Sequence, residues 1–222
     1  MMYKHQRINT GCNNSKSVDI ENNEDFIHSK AVVLTSPLCS LNAEFLLTII
    51  NSQRQGLGCL PHYIGLDKNK FSQVRNILML NARERLSASD PNNSDDKLLT
   101  DRSIMRQQLL DLRTDEVAEL SALLVEYRAG VQEMELWMAD IVSAACMGSD
   151  HLWRDLGLPD RKVLNRLLRY NFPALFLENT RDMKWKKFLY KKLCEMGGDY
   201  VCRSPNCEAC VSYDECFGSE EY

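Results

Sequence analysis

The sequence predicts an all-α fold, a helical domain that ends in an irregular cysteine-rich loop. Apolar residues recur at intervals of three and four in several segments, which is the spacing of one helix face. Runs of Val, Ile and Thr that alternate with polar residues, the usual signal of strands, are essentially missing. Four of the nine cysteines crowd between Cys202 and Cys216, where Pro205 and the preceding glycines disfavour regular helix.

Composition divides the chain into three predicted parts. Residues 1–28 are polar and rich in Asn and Ser, which is typical of a mobile tail. Residues 29–196 form the predicted helical domain, with a polar linker near 87–100 that contains "SASDPNNSDD". Residues 197–222 form the predicted cysteine-rich loop, and their acidic end, "GSEEY", is predicted to be a solvated tail. With 222 residues, of which 44% are hydrophobic, the chain can bury a core without disulfides.

Two helices joined by a turn-rich loop are predicted in the first half of the domain. An apolar stripe over residues 41–50 indicates the first helix, and Ser40 or Asn42 is its predicted amino-terminal cap. The stretch "GLGCLPHYIGL", with three glycines and Pro61, predicts the loop. Asp67 is the predicted cap of the second helix, whose apolar stripe consists of Phe71, Val74, Ile77 and Leu78.

Four further helices are predicted in the second half. "TDEVAELSALLVEYRAG" places its apolar residues on a single face and ends at Gly130, a residue type that commonly follows helix ends. The dense apolar block from Met134 to Met147 predicts a buried helix, and "GSDHLWRDLGLPD" predicts a loop with a short turn. The last two helices are "DRKVLNRLLRY" and "RDMKWKKFLYKKLCEM", the second of which ends at Gly197 and Gly198.

Charge and motif content exclude several classes of function. The net charge of −4 argues against a protein whose main role is binding nucleic acid, because that affinity comes largely from Lys and Arg. No apolar run approaches the roughly 20 residues that cross a bilayer, and no secretory signal is recognisable near the start. These features predict a cytoplasmic protein. No HExxH, GxxxxGK[ST] or nucleophile–His–acid pattern supports hydrolysis or nucleotide turnover.

The four clustered cysteines have the spacing Cx4CxxCx5C and comprise Cys202, Cys207, Cys210 and Cys216. In a reducing compartment, thiols cluster for metals or redox chemistry more often than for structural disulfides. A structural zinc site is one interpretation, although such sites more commonly use two CxxC pairs separated by a long insert. One CxxC with outlying cysteines favours an iron–sulfur cluster, because thiolates must surround a larger inorganic core.

The quoted segments of the carboxyl-terminal third carry a family resemblance. "HLWRDLGL", "NFPAL", "RDMKWKKFLYKKLCE" and "CRSPNCEACVSYDECFG" together resemble the NifQ family, which handles molybdenum in nitrogenase cofactor assembly. The resemblance spans about residues 145–218. It implies a molybdenum–iron–sulfur cubane, held by the four cysteines, as a source of molybdenum for the iron–molybdenum cofactor. It also implies molybdate or another molybdenum source as substrate and the nitrogenase cofactor scaffold complex as partner, with the nitrogenase reductase as a further candidate.

Five other residues are candidates for supporting roles. His151 and Cys194 are candidate additional ligands or hydrogen-bonding neighbours of a cluster; the alternatives are local capping or packing for His151 and a small buried side chain for Cys194. Lys184, Lys187 and Lys191 share a predicted outer helix face that would gather an oxyanion or meet an acidic partner. The alternative for these lysines is the solvated face of an amphipathic helix.

The sequence therefore favours a metallocluster carrier that works by ligand exchange and transfer more than by turnover catalysis. Two alternatives remain open. One is a zinc-stabilised protein-interaction module, and the other is a simple iron–sulfur electron carrier.

Overall fold

A computed structural model describes residues 37–83, 96–197 and 213–220 of the chain. Within these ranges the only regular secondary structure is helical, which confirms the all-α prediction for them. The predicted tail, residues 1–28, and three cysteines of the predicted loop, Cys202, Cys207 and Cys210, lie outside the described residues. None of the helices in the described ranges has the length and apolar character that a membrane crossing requires.

The helices are numbered here along the described residues. They are α1 Pro37–Arg54, α2 Lys68–Arg83, α3 Asp96–Asp111, α4 Thr114–Glu126, α5 Met134–Cys146, α6 Leu152–Asp155, α7 Arg161–Asn171, α8 Pro173–Glu178, α9 Trp185–Gly197 and α10 Tyr213–Phe217.

Helix α5 forms the centre of the core. Of its 13 residues, all but Leu136 and Asp140 are buried, as the dense apolar sequence predicts. It packs most extensively against α4, whose buried residues are Leu120, Leu123 and Leu124. Helix α4 ends at Glu126, earlier than the predicted stop at Gly130. Gly130 lies in the connection that follows, with φ of 75°, and its amide donates to the Glu135 carboxylate at 2.6 Å.

The prediction that Ser40 or Asn42 caps the first helix is wrong, because α1 begins at Pro37 and both residues lie inside it. Asn42 is instead completely buried, where its amide exchanges two hydrogen bonds of 2.9 Å with that of Asn171 in α7. Paired buried amides satisfy each other's polar groups. The pair therefore ties α1 to α7 without leaving a costly unpaired amide.

Helix α2 is capped as predicted. The Asp67 carboxylate accepts hydrogen bonds from the backbone amides of Asn69 and Lys70, at 2.9 and 2.8 Å. Within the predicted apolar stripe, Phe71, Val74 and Leu78 are buried and Ile77 is partly buried.

The linker predicted near 87–100 requires a correction. Its residues up to 95 lie outside the described part, and residues 96–100 already belong to α3, a helix that the sequence did not indicate. The reason is that Ile104, Met105 and Leu109 of α3 are exposed, so its apolar residues do not mark a buried face. Helix α3 is joined to the domain by Arg106, whose guanidinium donates to the carbonyls of Gly58 and Leu60.

Two helices frame the carboxyl-terminal part of the domain. Helix α7 starts after Asp160, whose side chain accepts from the amide of Val163 at 2.8 Å. Helix α9 begins at Trp185 instead of the predicted Arg181, and it buries Trp185, Phe188 and Leu189. Lys184 therefore precedes the helix and does not share its outer face by helical spacing.

Candidate functional site

Cys216 is the one predicted ligand of the four-cysteine motif that falls within the described residues. It is partly buried and lies on the short helix α10. Among the described residues there is no group of three or more His, Cys, Asp or Glu side chains placed to hold a metal ion. The arrangement of the complete motif therefore remains a prediction, whereas the attachment of Cys216 to the domain can be described.

The backbone at Cys216 is fixed to the start of α9. The amide of Lys184 donates to the Cys216 carbonyl at 2.7 Å, and the Lys184 ammonium donates to the Asp214 carbonyl at 2.7 Å. The ammonium of Lys187 lies 3.5 Å from the carboxylate of Glu215. Two of the three lysines predicted to contact an oxyanion or a partner thus contact the helix that carries Cys216.

The third lysine, Lys191, lies one turn further along α9. Its ammonium is 3.6 Å from the carboxylate of Glu195, and both side chains are exposed. Cys194, the candidate additional ligand, is partly buried near the end of the same helix. The structure brings neither residue to the contacts that hold Cys216.

The residues after α10 return to the domain. Glu220 is buried, and its carboxylate lies 2.6 Å from a guanidinium nitrogen of Arg161 and 3.8 Å from Nδ1 of His151. This corrects the prediction that "GSEEY" is only a solvated tail, because a carboxylate is buried at this depth only when it is paired. His151 is placed beside the carboxyl-terminal segment, as a site role for it requires.

A cavity of about 380 Å³ lies between the segment 149–152, the start of α9 and the carboxyl-terminal segment. Its charged lining includes His151, Lys184, Lys187, Glu215 and Glu220. Because the lining carries both positive and negative side chains, the cavity is polar but is not a purely cationic site for anions.

A second cavity, of about 480 Å³, is also lined by Ser149 and Asp150, together with Cys59, Arg106 and Asp155. The segment from Gly148 to Asp155 therefore contributes to both cavities.

A buried ion pair holds that segment in place. The Lys186 ammonium donates to the Asp155 carboxylate and, at 2.9 Å, to the carbonyl of Gly148. The amide of Asp150 donates to the same carboxylate at 3.0 Å. The side chains of Asp155 and Lys186 are only 7% and 18% exposed. A Cβ added at Gly148 would lie 2.3 Å from the Asp155 carboxylate, so a larger residue there would displace this carboxylate from its hydrogen-bond partners.

Cys59 and Cys146 lie on the core side of this pair. Burial, the main cause for both residues, raises the pKa of each thiol to about 12. The Cys59 thiol donates to the Ala145 carbonyl at 3.6 Å. Because thiolates and not thiols bind metal, the raised pKa disfavours both residues as ligands at neutral pH.

The important charged residues that the sequence did not single out are Asp155, Lys186, Arg161 and Glu220. Asp155 and Lys186 do lie within the quoted segments "HLWRDLGL" and "RDMKWKK", where a charge beside buried apolar residues is a usable signal. Arg161 and Glu220 are 59 residues apart, and nothing in the local pattern links them.

Comparison with known proteins adds to this geometry. The family model described as NifQ matches residues 45–218. The chain is 48% identical over 179 residues to Protein NifQ of Azotobacter vinelandii, which covers 81% of this chain and 89% of the relative. It is 36% identical over 163 residues to Protein NifQ of Klebsiella pneumoniae, covering 73% of this chain and 90% of the relative. No solved structure matches the chain.

Proposed function

This chain belongs to the NifQ family, and on that premise we propose that it carries a molybdenum–iron–sulfur cluster and donates its molybdenum to nitrogenase cofactor biosynthesis. Family membership implies the coarser role, in nitrogen fixation and molybdenum handling. The proposal adds the form of the cargo and the residues that hold it, which are Cys202, Cys207, Cys210 and Cys216.

The observation that carries the proposal is the Cx4CxxCx5C spacing, which ends on a cysteine attached to the helical domain. The described residues fit such a cargo. Cys216 supplies a soft sulfur donor at the edge of the domain, and the cations of Lys184 and Lys187 lie against its helix.

A carrier must retain iron and sulfide while it gives up molybdenum. Thiolates suit iron, since Fe–S clusters in proteins are held mainly by cysteine. In this proposal three cysteines anchor iron, and the fourth holds molybdenum or exchanges. Loading would release protons and weaken at low pH, because each ligating cysteine must lose its proton.

The lysines and His151 would act around the cargo and not as its main ligands. Lys184 and Lys187 hold the Cys216 helix, so their charges are available to attract molybdate only in part. His151 would donate a hydrogen bond or supply a further ligand from the wall of the smaller cavity. Molybdenum would leave to the nitrogenase cofactor scaffold complex, with the nitrogenase reductase as a further candidate partner.

Metal analysis of anaerobically prepared full-length protein tests the proposal. We expect brown protein that contains iron, sulfide and molybdenum after it is supplied with all three. Cys210→Ala should lose most of the bound iron while it keeps the helical circular dichroism of the wild type. Cys146→Ala is the matched control, since that thiol is buried in α5, and it should keep the metal content.

Other results would favour the alternatives. Colourless protein with one zinc would indicate a protein-interaction module. Iron and sulfide without molybdenum, together with reversible redox cycling, would indicate an electron carrier. Wild-type metal content in Cys210→Ala would remove this cysteine from the site and contradict the proposed ligand set.

A further inference from the structure

The carboxyl-terminal segment 213–220 is held to the domain mainly by charged and polar contacts. Helix α10 has no buried residue. Its two aromatic rings, Tyr213 and Phe217, stack on each other at 4.8 Å, and the Arg181 guanidinium lies 5.1 Å from the Phe217 ring. Because no side chain of α10 enters the core, hydrophobic burial does little to set the position of Cys216.

One buried carboxylate is the exception in this segment. Glu220 lies four residues after Cys216, and its side chain is only 8% exposed. Glu is rarely buried unless it is paired. Its partner is Arg161, the first residue of α7, at 2.6 Å. The carboxylate is therefore anchored to a helix of the rigid domain.

Arg161 also reaches the other attachment of Cys216. Its second terminal nitrogen donates to the carbonyls of Asp182 and Met183, both at 3.0 Å. Met183 immediately precedes Lys184, whose amide donates to the Cys216 carbonyl. The Arg161 guanidinium therefore contacts two segments next to Cys216. It bonds the backbone of Asp182 and Met183, which precedes Lys184, and the carboxylate of Glu220, which follows Cys216 in the sequence.

We propose that Arg161 and Glu220 are positioning residues that fix Cys216 on the helical domain through a largely buried ion pair. This inference rests on the proposed function, in which Cys216 is a ligand. The pair would set the distance of this thiol from the smaller cavity without touching the cargo itself. Nδ1 of His151 lies 3.8 Å from the same carboxylate.

The contrast with Glu215 supports this assignment. Glu215 is next to Cys216 in the sequence, but its contact with Lys187 is 3.5 Å long and both side chains are more than half exposed. Exposed ion pairs of this kind contribute little, whereas a pair shielded from water contributes more. Arg161 also lies 2.9 Å from the Asp182 carboxylate, but that side chain is 75% exposed, so Glu220 is its shielded partner. Glu220 should therefore hold the segment 213–220 in place more strongly than Glu215 does.

The alkylation rate of Cys216 in the metal-free, reduced, full-length protein tests this inference. Iodoacetamide labelling followed by peptide mass spectrometry gives separate rates for Cys216 and for Cys146, which is buried in α5. In Glu220→Gln we expect Cys216 to react about tenfold faster, since a hydrogen bond between charged groups is lost. Cys146 should stay protected, because the core is unchanged.

Matched variants separate positioning from a general effect of charge or stability. Glu215→Gln removes a charge beside Cys216 without touching Arg161, and it should leave the Cys216 rate within about twofold of the wild type. Glu220→Asp keeps the charge on a shorter side chain, and Arg161→Lys keeps the charge but replaces the forked guanidinium with a single ammonium. Both variants should give Cys216 rates between those of the wild type and Glu220→Gln. In protein loaded with iron and molybdenum, Glu220→Gln should also lose metal to a chelator several-fold faster.

Two results would overturn the inference: a wild-type Cys216 rate in Glu220→Gln, or a parallel rise in the Cys146 rate, which would show global unfolding. The labelling needs no bound metal. A wild-type protein that never acquires molybdenum would therefore sink the proposed function and still leave a clear answer on Arg161 and Glu220.

Discussion

Cysteines in two regions of the described structure differ in what surrounds them. Cys146 is the last residue of the core helix α5 and Cys59 lies against that helix; burial raises both thiol pKa values to about 12. Cys216 lies on a short helix without buried residues, attached through Lys184, Arg161 and Glu220. The comparison teaches that one residue type occupies two environments here: burial keeps the Cys59 and Cys146 thiols protonated, whereas charged and polar contacts hold Cys216 near the surface.

The same contrast applies to ion pairs, and it predicts the largest effect on stability. Asp155→Ala should lower the free energy of unfolding by about 3–5 kcal/mol, because it leaves the Lys186 ammonium buried without its partner. Urea denaturation followed by circular dichroism measures this change. Glu195→Ala, which removes an exposed partner of Lys191, is the matched control and should cost at most about 1 kcal/mol. Equal losses in the two variants would contradict the contrast between buried and exposed pairs.

A pair of alanine substitutions tests the two classes of cysteine directly. Cys146→Ala should cost about 1–2 kcal/mol of stability through lost packing and leave the metal content unchanged. Cys216→Ala should leave stability within about 0.5 kcal/mol and reduce the bound iron and molybdenum. Metal analysis and urea denaturation on both variants give the comparison. Loss of metal in Cys146→Ala without loss of stability would show that the core thiol is a ligand after all.

Most of the helical domain was predictable from local patterns. The stripe before Gly130 predicts α4, the dense block from Met134 predicts α5, and Asp67 is recognisable as the cap of α2. Helix α3 was missed because its apolar residues are largely exposed, so periodicity gave no signal for it. The start of α1 was misplaced because Asn42, a typical capping residue, is used for a buried pair with Asn171 instead.

For the candidate site, the sequence predicts ligand types and not their arrangement. The cysteine spacing predicts Cys216 as a ligand, which stays a prediction, and Lys184 and Lys187, which contact the helix of Cys216, can be named from the sequence around the start of α9. The contacts that place Cys216 join residues far apart in the chain, such as Arg161 with Glu220, and no local pattern encodes them. The acidic end was predicted to be solvated because composition does not distinguish a buried carboxylate from an exposed one.

The pH dependence of stability distinguishes the core thiols from ordinary cysteines. The pKa of Cys146 rises from 9.0 to about 12 on folding, so the unfolded chain loses this proton first as the pH increases. The contribution of Cys146 is therefore fully present below about pH 9 and is lost as the pH rises toward about 12. Relative to Cys146→Ala, the wild type should lose about 1 kcal/mol between pH 8 and pH 10. Parallel curves for the two proteins in urea denaturation would mean that this thiol titrates normally in the fold.

The smallest effects are expected at the exposed lysines of α9. Lys187 and Glu215 are 53% and 64% exposed, and Lys191 and Glu195 are 41% and 44% exposed. Lys187→Ala and Lys191→Ala should each change stability by less than about 1 kcal/mol. Only Lys187→Ala touches the helix of Cys216, so it alone should raise the Cys216 alkylation rate, by less than about threefold.

High salt provides the control for that last effect. Exposed charge pairs are screened at about 0.5 M salt, so the difference between Lys187→Ala and the wild type should disappear there, while the effect of Glu220→Gln persists. If Lys187→Ala raises the Cys216 alkylation rate as much as Glu220→Gln does, the burial of a contact does not determine how strongly it holds the segment 213–220. The adjacent pair of Lys187 and Glu215 would then hold Cys216, and the positioning role proposed for Arg161 would be contradicted.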